Sequence, residues 1–372
     1  MTAYLDYNAT APVRAEVAEA VSKALALGGN ASSVHSRGRE ARRVVEEARE
    51  KVAALVGASP AEVIFTGSGT EANNLALSGA SAGRVAVSAV EHDSVLRVAP
   101  NGIRLGVDAD GRVNLTELES FLSDDGTALI SVMAANNETG VMKPIQEAAA
   151  LLQSHDALLH VDAVQAAGKI DISRDQMDAD LMTLSAHKLG GPQGVGALII
   201  RDGMDLEPLV KGGGQERSRR AGTENVAGIA GFGVAAELAL NELDQMDRIA
   251  ALRDRLEIEI NKIAPDTRVL GAAGPRLANT SCLTMPGVSA ESQVMSLDLA
   301  GVMVSAGSAC SSGKVTTSHV LTAMGLSEAE ANTAIRISLG WASVKEDVDA
   351  FLNAWGELYR RTRKQELEAS AA

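Results

Sequence analysis

The sequence predicts an α/β protein: a large, doubly wound, mainly parallel sheet domain joined to a smaller α+β domain. Three observations carry this reading. Helical and strand patterns alternate from about residue 40 to 200. The strand runs are continuously apolar, as in a sheet covered on both faces. And 372 residues exceed what one core ordinarily holds.

The elements follow in order. EARRVVEEAREKVAALVGA repeats apolar residues at helical spacing and ends at Gly57. The runs EVIFTG, RVAVSAV, ALISVMAANN, ALLHVDAV and GVGALIIR read as strands punctuated by Gly, Asn, Asp or Ser. In such a domain ligands bind at the carboxyl ends of the strands. After the Gly-rich KGGGQERSRRAGTEN, the Ala-rich stretch from Val226 to Ala264 predicts two helices or one bent helix. The domain boundary is placed within it, near residue 248. Beyond lie strands (NTSCLTM, IRISLG) mixed with helices (ESQVMSLDLA, KEDVDAFLNAWGELYRRT).

A formal charge of −14 argues against nucleic acid or an anionic membrane as the main partner. The one basic cluster, YRRTRK, is expected in the solvated last turn of a C-terminal helix, before a frayed end. No apolar run reaches membrane-spanning length, and MTAYLDYNATAPVR lacks the pattern of a signal peptide. Two cysteines in such a chain fit free thiols in a reducing cytoplasm. Cys282, in NTSCLTMPG, has the neighbours of a packed residue. Cys310, in VSAGSACSSGKV, sits in a Gly/Ser loop, the setting of a thiol that reacts.

Four stretches could carry chemistry. In FTGSGTEANNLALSG a strand runs through Gly67, Ser68, Gly69 and Thr70 into a helix, either a phosphate cradle or a plain capped turn. Asp162, in LLHVDAVQAAGKI, ends a strand and either faces a ligand or caps the next helix. His160 lies on the same side of that strand, but no third residue completes a metal site. The same rim should hold Asn137 of ANNETG and His92 of EHDSV. Lys188, in LSAHKLGGPQGVGALII, lies in a tight turn beside Ser185 and His187, where partial desolvation lowers the pKa of an amine. A cradle, a carboxylate at a strand end and such a lysine are together what pyridoxal 5′-phosphate requires.

With those residues in view, the chain resembles the cysteine desulfurases, of the class V aminotransferase fold family. YLDYNAT, SSVHSRGREAR, SAHKLGGPQGVGAL, GGGQERSRRAGTEN, GSACSSG and RISLG join the blocks above, in order along nearly the whole chain. The resemblance implies an aspartate-aminotransferase-like fold with a large pyridoxal-phosphate domain over 13–248. The small domain is then 1–12 plus 249–372. It implies that Lys188 binds the cofactor and shuttles protons, that Asp162 pairs with the pyridine nitrogen, and that Gln165 approaches the ring hydroxyl. His92 would stack on the ring. Gly69, Thr70, Ser185 and His187 would hold the phosphate, helped by Thr223 from the partner of a homodimer. Asn137 and Arg336 would take the carboxylate of L-cysteine, and Cys310 would accept its sulfur as a persulfide.

A protein sulfur acceptor, such as an iron–sulfur scaffold protein, would then relieve Cys310. General iron–sulfur assembly and nitrogenase assembly both remain open, because the long C-terminal tail of many scaffold-serving members has no counterpart here. Ala31 replaces a common proline. The competing readings are an aminotransferase, a selenocysteine or cysteine-sulfinate lyase, a cofactor-free sulfur carrier, and a scaffold that has lost catalysis. GSACSSG weighs against the first two; a carrier would be colourless and would not need Lys188; and the joint presence of Lys188, Asp162, His92, Arg336 and Cys310 weighs against the scaffold.

Overall fold

The computed structural model describes residues 2–80, 82–307 and 317–370. Their strands, in chain order, are β1 (Ala3–Tyr4), β2 (Val63–Thr66), β3 (Arg84–Ser88), β4 (Ile103–Leu105), β5 (Ala128–Met133) and β6 (Ala157–Asp162). There follow β7 (Leu181–Ser185), β8 (Gly196–Ile200), β9 (Thr280–Thr284), β10 (Val302–Met303), β11 (Ser305–Ala306) and β12 (Ala334–Ser338). Seven form the large sheet, in the order β2-β8-β7-β6-β5-β3-β4.

All seven run the same way except β8, which is antiparallel to both neighbours. The reason is the connection. A parallel neighbour needs a crossover, usually a helix, whereas β7 and β8 are joined by a short turn through Gly190 and Gly194. Both glycines take left-handed backbone angles, φ 79° and 78°. The six co-directional strands bring their carboxyl ends to one rim.

The inner strands β5, β7 and β8 bury every residue on both faces, as their unbroken apolar runs require, whereas the edge strand β4 is exposed at Ile103 and Arg104. In β5, Leu129 enters the core beneath the helix Gly69–Gly79, while Ile130 enters the opposite core. That second face is covered by the helices Ser36–Leu55 and Val226–Asn241. They touch closely: a Cβ on Gly233 would stand 2.6 Å from the Ala48 Cα. This contact accounts for the small residues of the Ala-rich stretch. The stretch forms two helices, Val226–Asn241 and Gln245–Ile263, bent by 75°.

A further core lies around Trp355 and Phe351, with Ile249, Leu256 and Ile260 from the helix Gln245–Ile263. The antiparallel sheet β11-β12-β9 and the parallel pair β1–β10 build it out. The chain start belongs to this core through Ala3 and Leu5, then crosses to the rim of the large sheet.

One expectation is corrected. The basic cluster lies within the C-terminal helix, which runs Lys345–Ser370 and includes residues 368–370 of the end expected to fray. QELE after Lys364 consists of good helix formers without a stop signal, so the helix continues.

Candidate active site

The rim of the large sheet and the β11–β12 edge enclose a cavity of about 420 Å³. Gly69, Thr70, His92, Asn137, Asp162, Gln165, Ser185, His187, Lys188 and Arg336 all line it. Residues from positions 69 to 336 thus converge because each follows or sits on a strand whose end faces this space.

Lys188 closes the 3₁₀ turn Ala186–Lys188 after β7. Its Nζ donates to the main-chain carbonyls of Asn8 at 2.6 Å and Ala9 at 2.7 Å. Burial, and then the Arg336 guanidinium, push its pKa down to about 8. Burial also pushes His187 down to about 4, with the Lys188 charge adding to the effect. Its Nδ1 lies 3.2 Å from the Thr10 hydroxyl.

Asp162 ends β6 and is 6% exposed. Its Oδ1 accepts the Val164 N–H at 3.0 Å, and its Oδ2 accepts from Asn73 Nδ2 at 2.8 Å. The same Asn73 nitrogen donates to Ser94 Oγ at 2.8 Å. His92 Nδ1 accepts the Ser94 backbone N–H at 3.1 Å and faces the Ser94 hydroxyl at 2.8 Å. An Nδ1 that accepts a backbone N–H carries no proton, so the imidazole proton is on Nε2. Beneath this layer Glu91 is fully buried, its Oε1 accepting the Met133 N–H at 2.6 Å. Burial, reinforced by the Asp162 charge, lifts its carboxyl well above the usual range.

The turn before the helix Gly69–Gly79 is held open as a cradle. Ser68 caps it by accepting the Glu71 N–H at 3.1 Å, and Glu71 accepts the Gly67 N–H at 2.7 Å. The N–H groups of Gly69 and Thr70 have no partner among the described residues, as the first turn of a helix leaves them. A Cβ on Gly69 would come within 3.2 Å of the Ser185 Cβ. Glycine there lets the helix start approach β7.

Arg336, on β12, pairs with Asp6 at 2.6 Å and donates to the Asn137 carbonyl at 3.1 Å. Its Nε is buried without a partner among the described residues, a donor left for an anion. Thr223 is exposed and lies outside the cavity, beside a smaller pocket with Arg220. Cys310 lies outside the described residues. Cys282 is fully buried on β9, and burial pushes its thiol up to about 12, with Glu138 adding to the effect. His160 bonds Ser131 and Thr183 at 2.8 and 3.0 Å, inside the sheet. No cluster of metal-ligating side chains occurs among the described residues.

Sequence reasoning missed Asn8, Asn73, Asp6, Ser94 and Lys169. Asn73 stands four residues after Gly69, on the same helix face, which was a usable signal. The others meet the site across long sequence separations that no local pattern marks.

The donor set fits pyridoxal 5′-phosphate. An amine of depressed basicity, an aspartate held by two donors and two unspent N–H groups at a helix start face one cavity. The comparisons agree with that chemistry. The model for class-V aminotransferases matches residues 3–351. The cysteine desulfurase IscS of Dictyoglomus turgidum is 43% identical, over 97% of this chain and 95% of the relative. A NifS-like protein of Rickettsia africae superposes with a TM-score of 0.89 at 35% identity, over 97% of this chain and 100% of that one. A solved structure described as SspA in complex with cysteine gives a TM-score of 0.78 at 33% identity, over 91% of this chain and 99% of that one. Both families named are pyridoxal-phosphate enzymes. Likeness of this extent, end to end and at these strand ends, places the chain in the class V aminotransferase family, among the cysteine desulfurases.

Proposed function

We propose that this protein takes L-cysteine to L-alanine with pyridoxal 5′-phosphate and passes the sulfur to Cys310. The observation that carries it is the Lys188 amine, buried and of depressed pKa, in one cavity with Asp162 and the open helix start. When bound, the cofactor supplies an electron sink that weakens bonds at the substrate carbons.

Gly69, Thr70, Ser185 and His187 would hold its phosphate, Asp162 its ring nitrogen, Gln165 its ring hydroxyl and His92 its face. Lys188 would hold it covalently and, once released, take the proton from the substrate Cα. The Asn8 and Ala9 carbonyls keep the amine oriented. Arg336 Nε and Asn137 receive the substrate carboxylate, where the guanidinium gives directional, charge-assisted bonds. With its Nδ1 held by Ser94, His92 would offer its Nε2–H as a hydrogen-bond donor within the cavity it lines.

Sulfur transfer needs a thiolate. Cys282 is too basic and too buried to serve, which leaves Cys310. It lies three residues beyond Gly307, which lines the cavity; three residues extend at most about 10 Å. The Cys310 thiolate forms a bond to the substrate sulfur while the carbon–sulfur bond breaks. The electron pair stays on carbon, which takes a proton and leaves in alanine. The persulfide is then handed to a protein acceptor, for which an iron–sulfur scaffold in the cytoplasm is the candidate. Exposed Thr223 would complete the phosphate site of a second copy in a homodimer.

The test is alanine release from L-cysteine by the loaded enzyme, with Cys310→Ser in parallel. Alanine from the wild type, and little from the variant, is expected. Equal release from both would remove Cys310 from the chemistry and favour a lyase, and no release from either would overturn the desulfurase reading.

A further inference from the structure

Lys169 is a buried cation that the chemistry above does not use. It is 8% exposed, four residues after Gln165 in the turn that follows β6. A buried ammonium normally has a carboxylate partner. Among the described residues Lys169 has none: its Nζ donates to Gln165 Oε1 at 2.8 Å and to Asn8 Oδ1 at 3.2 Å. Both are neutral amide oxygens. Burial pushes its pKa down to about 7, and its charged neighbours, Lys188 and then Arg336, add to the effect.

What this arrangement does follows from donor and acceptor inventories. An ammonium at Nζ can donate to an amide oxygen but has no lone pair to accept from an amide NH₂. Gln165 therefore turns Oε1 toward Lys169, which puts Nε2 on the Asn8 carbonyl at 3.0 Å. Flipping this amide would set N–H against N–H and oxygen against oxygen. The second hydrogen of Nε2 is left for the cavity that Gln165 lines.

Asn8 is held in the same sense. Its Oδ1 accepts from Lys169 and from Asn279 Nδ2 at 3.0 Å, so its Nδ2 donates to the Asn137 carbonyl at 3.2 Å and Thr280 Oγ1 at 2.9 Å. The Asn137 carbonyl is also where Arg336 bonds.

We propose that Lys169 is a positioning residue: it fixes the Gln165 amide with its N–H toward the cofactor ring oxygen and, through Asn8, orders the Asn137–Arg336 side of the same cavity. This deepens the pyridoxal-phosphate reading and rests on it.

The test is a double-mutant cycle on Lys169→Met and Gln165→Leu in the cofactor-loaded enzyme. It reads the dissociation constant for pyridoxal phosphate and the visible absorbance maximum of the bound cofactor. Each single variant is expected to weaken cofactor binding about tenfold, the scale of one charge-assisted hydrogen bond, and to shift the absorbance the same way. The double variant should match the singles, because Lys169 acts through Gln165. Additive losses, or a Lys169→Met enzyme with wild-type affinity and spectrum, would overturn the proposal. A wild-type chain that binds no pyridoxal phosphate would instead sink the reading beneath it. Lys169→Gln, which keeps an N–H donor on a neutral chain, goes through the same cycle if the methionine variant does not accumulate folded. Wild-type-like affinity in Lys169→Gln supports donation as the role, and an unbridged loss with Gln165→Leu still additive refutes it.

Discussion

At the scale of the residue, Lys188 decides how the site works, and its pKa makes a prediction. Only the neutral amine attacks an aldehyde. Burial and then Arg336 bring that amine to about 8 from its ordinary 10.5, so capture of pyridoxal phosphate by the apo-enzyme should speed up with pH through a midpoint near 8. Stopped-flow absorbance measures it. Arg336→Gln removes a repelling cation and frees the Asp6 carboxylate, which attracts a proton to Lys188; both move the midpoint up. The sign for stability follows too. Between about 8 and 10.5 the folded chain binds fewer protons at Lys188 than the unfolded chain, so this group's contribution to apo-protein stability rises with pH there. Lys188 and Asp162 were legible in the sequence because each stands where an apolar run meets a turn. Asn8 was not: its partners Gln165, Lys169 and Lys188 are 157, 161 and 180 residues away, and only the tertiary fold brings them together.

At the scale of the element, apolar runs bounded by glycine and polar residues announced most of the large sheet. The two-residue strands β10 and β11 carry no such signal, since their pairing is set by partners far along the chain. The segment Gln215–Ser218 is the sharpest case of hidden structure. Glu216, Arg217 and Ser218 have φ of 45°, 57° and 64°, the left-handed region that non-glycine residues avoid. Nothing in QERS foretells it. The strain is held by Glu216, whose carboxylate takes both Arg49 terminal nitrogens at 2.8 Å and the Phe65 N–H at 2.8 Å in a buried setting. Among the described residues the Ser218 side chain has no comparable anchor to offset its strain. Ser218→Gly should therefore stabilise the fold by about 0.5–1 kcal/mol, the left-handed penalty less the entropy that glycine adds to the unfolded chain. Urea unfolding of the apo-protein would show a higher midpoint at unchanged slope. A lower midpoint would mean that the Ser218 side chain has a stabilising role.

At the scale of the whole molecule, the chain start ties the two core regions together over the active site. Leu5 is in the core around Trp355, Asp6 holds Arg336, and the carbonyls of Asn8 and Ala9 hold Lys188. Tyr7 sits between these anchors, 5% exposed, and packs so tightly on Gly340 that a Cβ there would lie 1.9 Å from its Cδ1. The backbone of Gly340 is not left-handed, so alanine is conformationally acceptable and its effect is steric. The Tyr7 ring is hemmed in by Tyr4, at 5.4 Å between centroids, and cannot swing aside without moving the main chain. Gly340→Ala should thus pull Asn8 and Ala9 off the Lys188 amine as well as open the Tyr7 site. The expected cost is about 1–3 kcal/mol, the usual range for overpacking, together with weaker retention of pyridoxal phosphate. Gly274→Ala is the control: a Cβ there meets nothing within 4 Å, so neither quantity should fall. Thermal unfolding and cofactor titration of the two variants read both effects. A Gly340→Ala protein that loses stability but binds the cofactor normally would show that Tyr7 holds the core regions without holding the site.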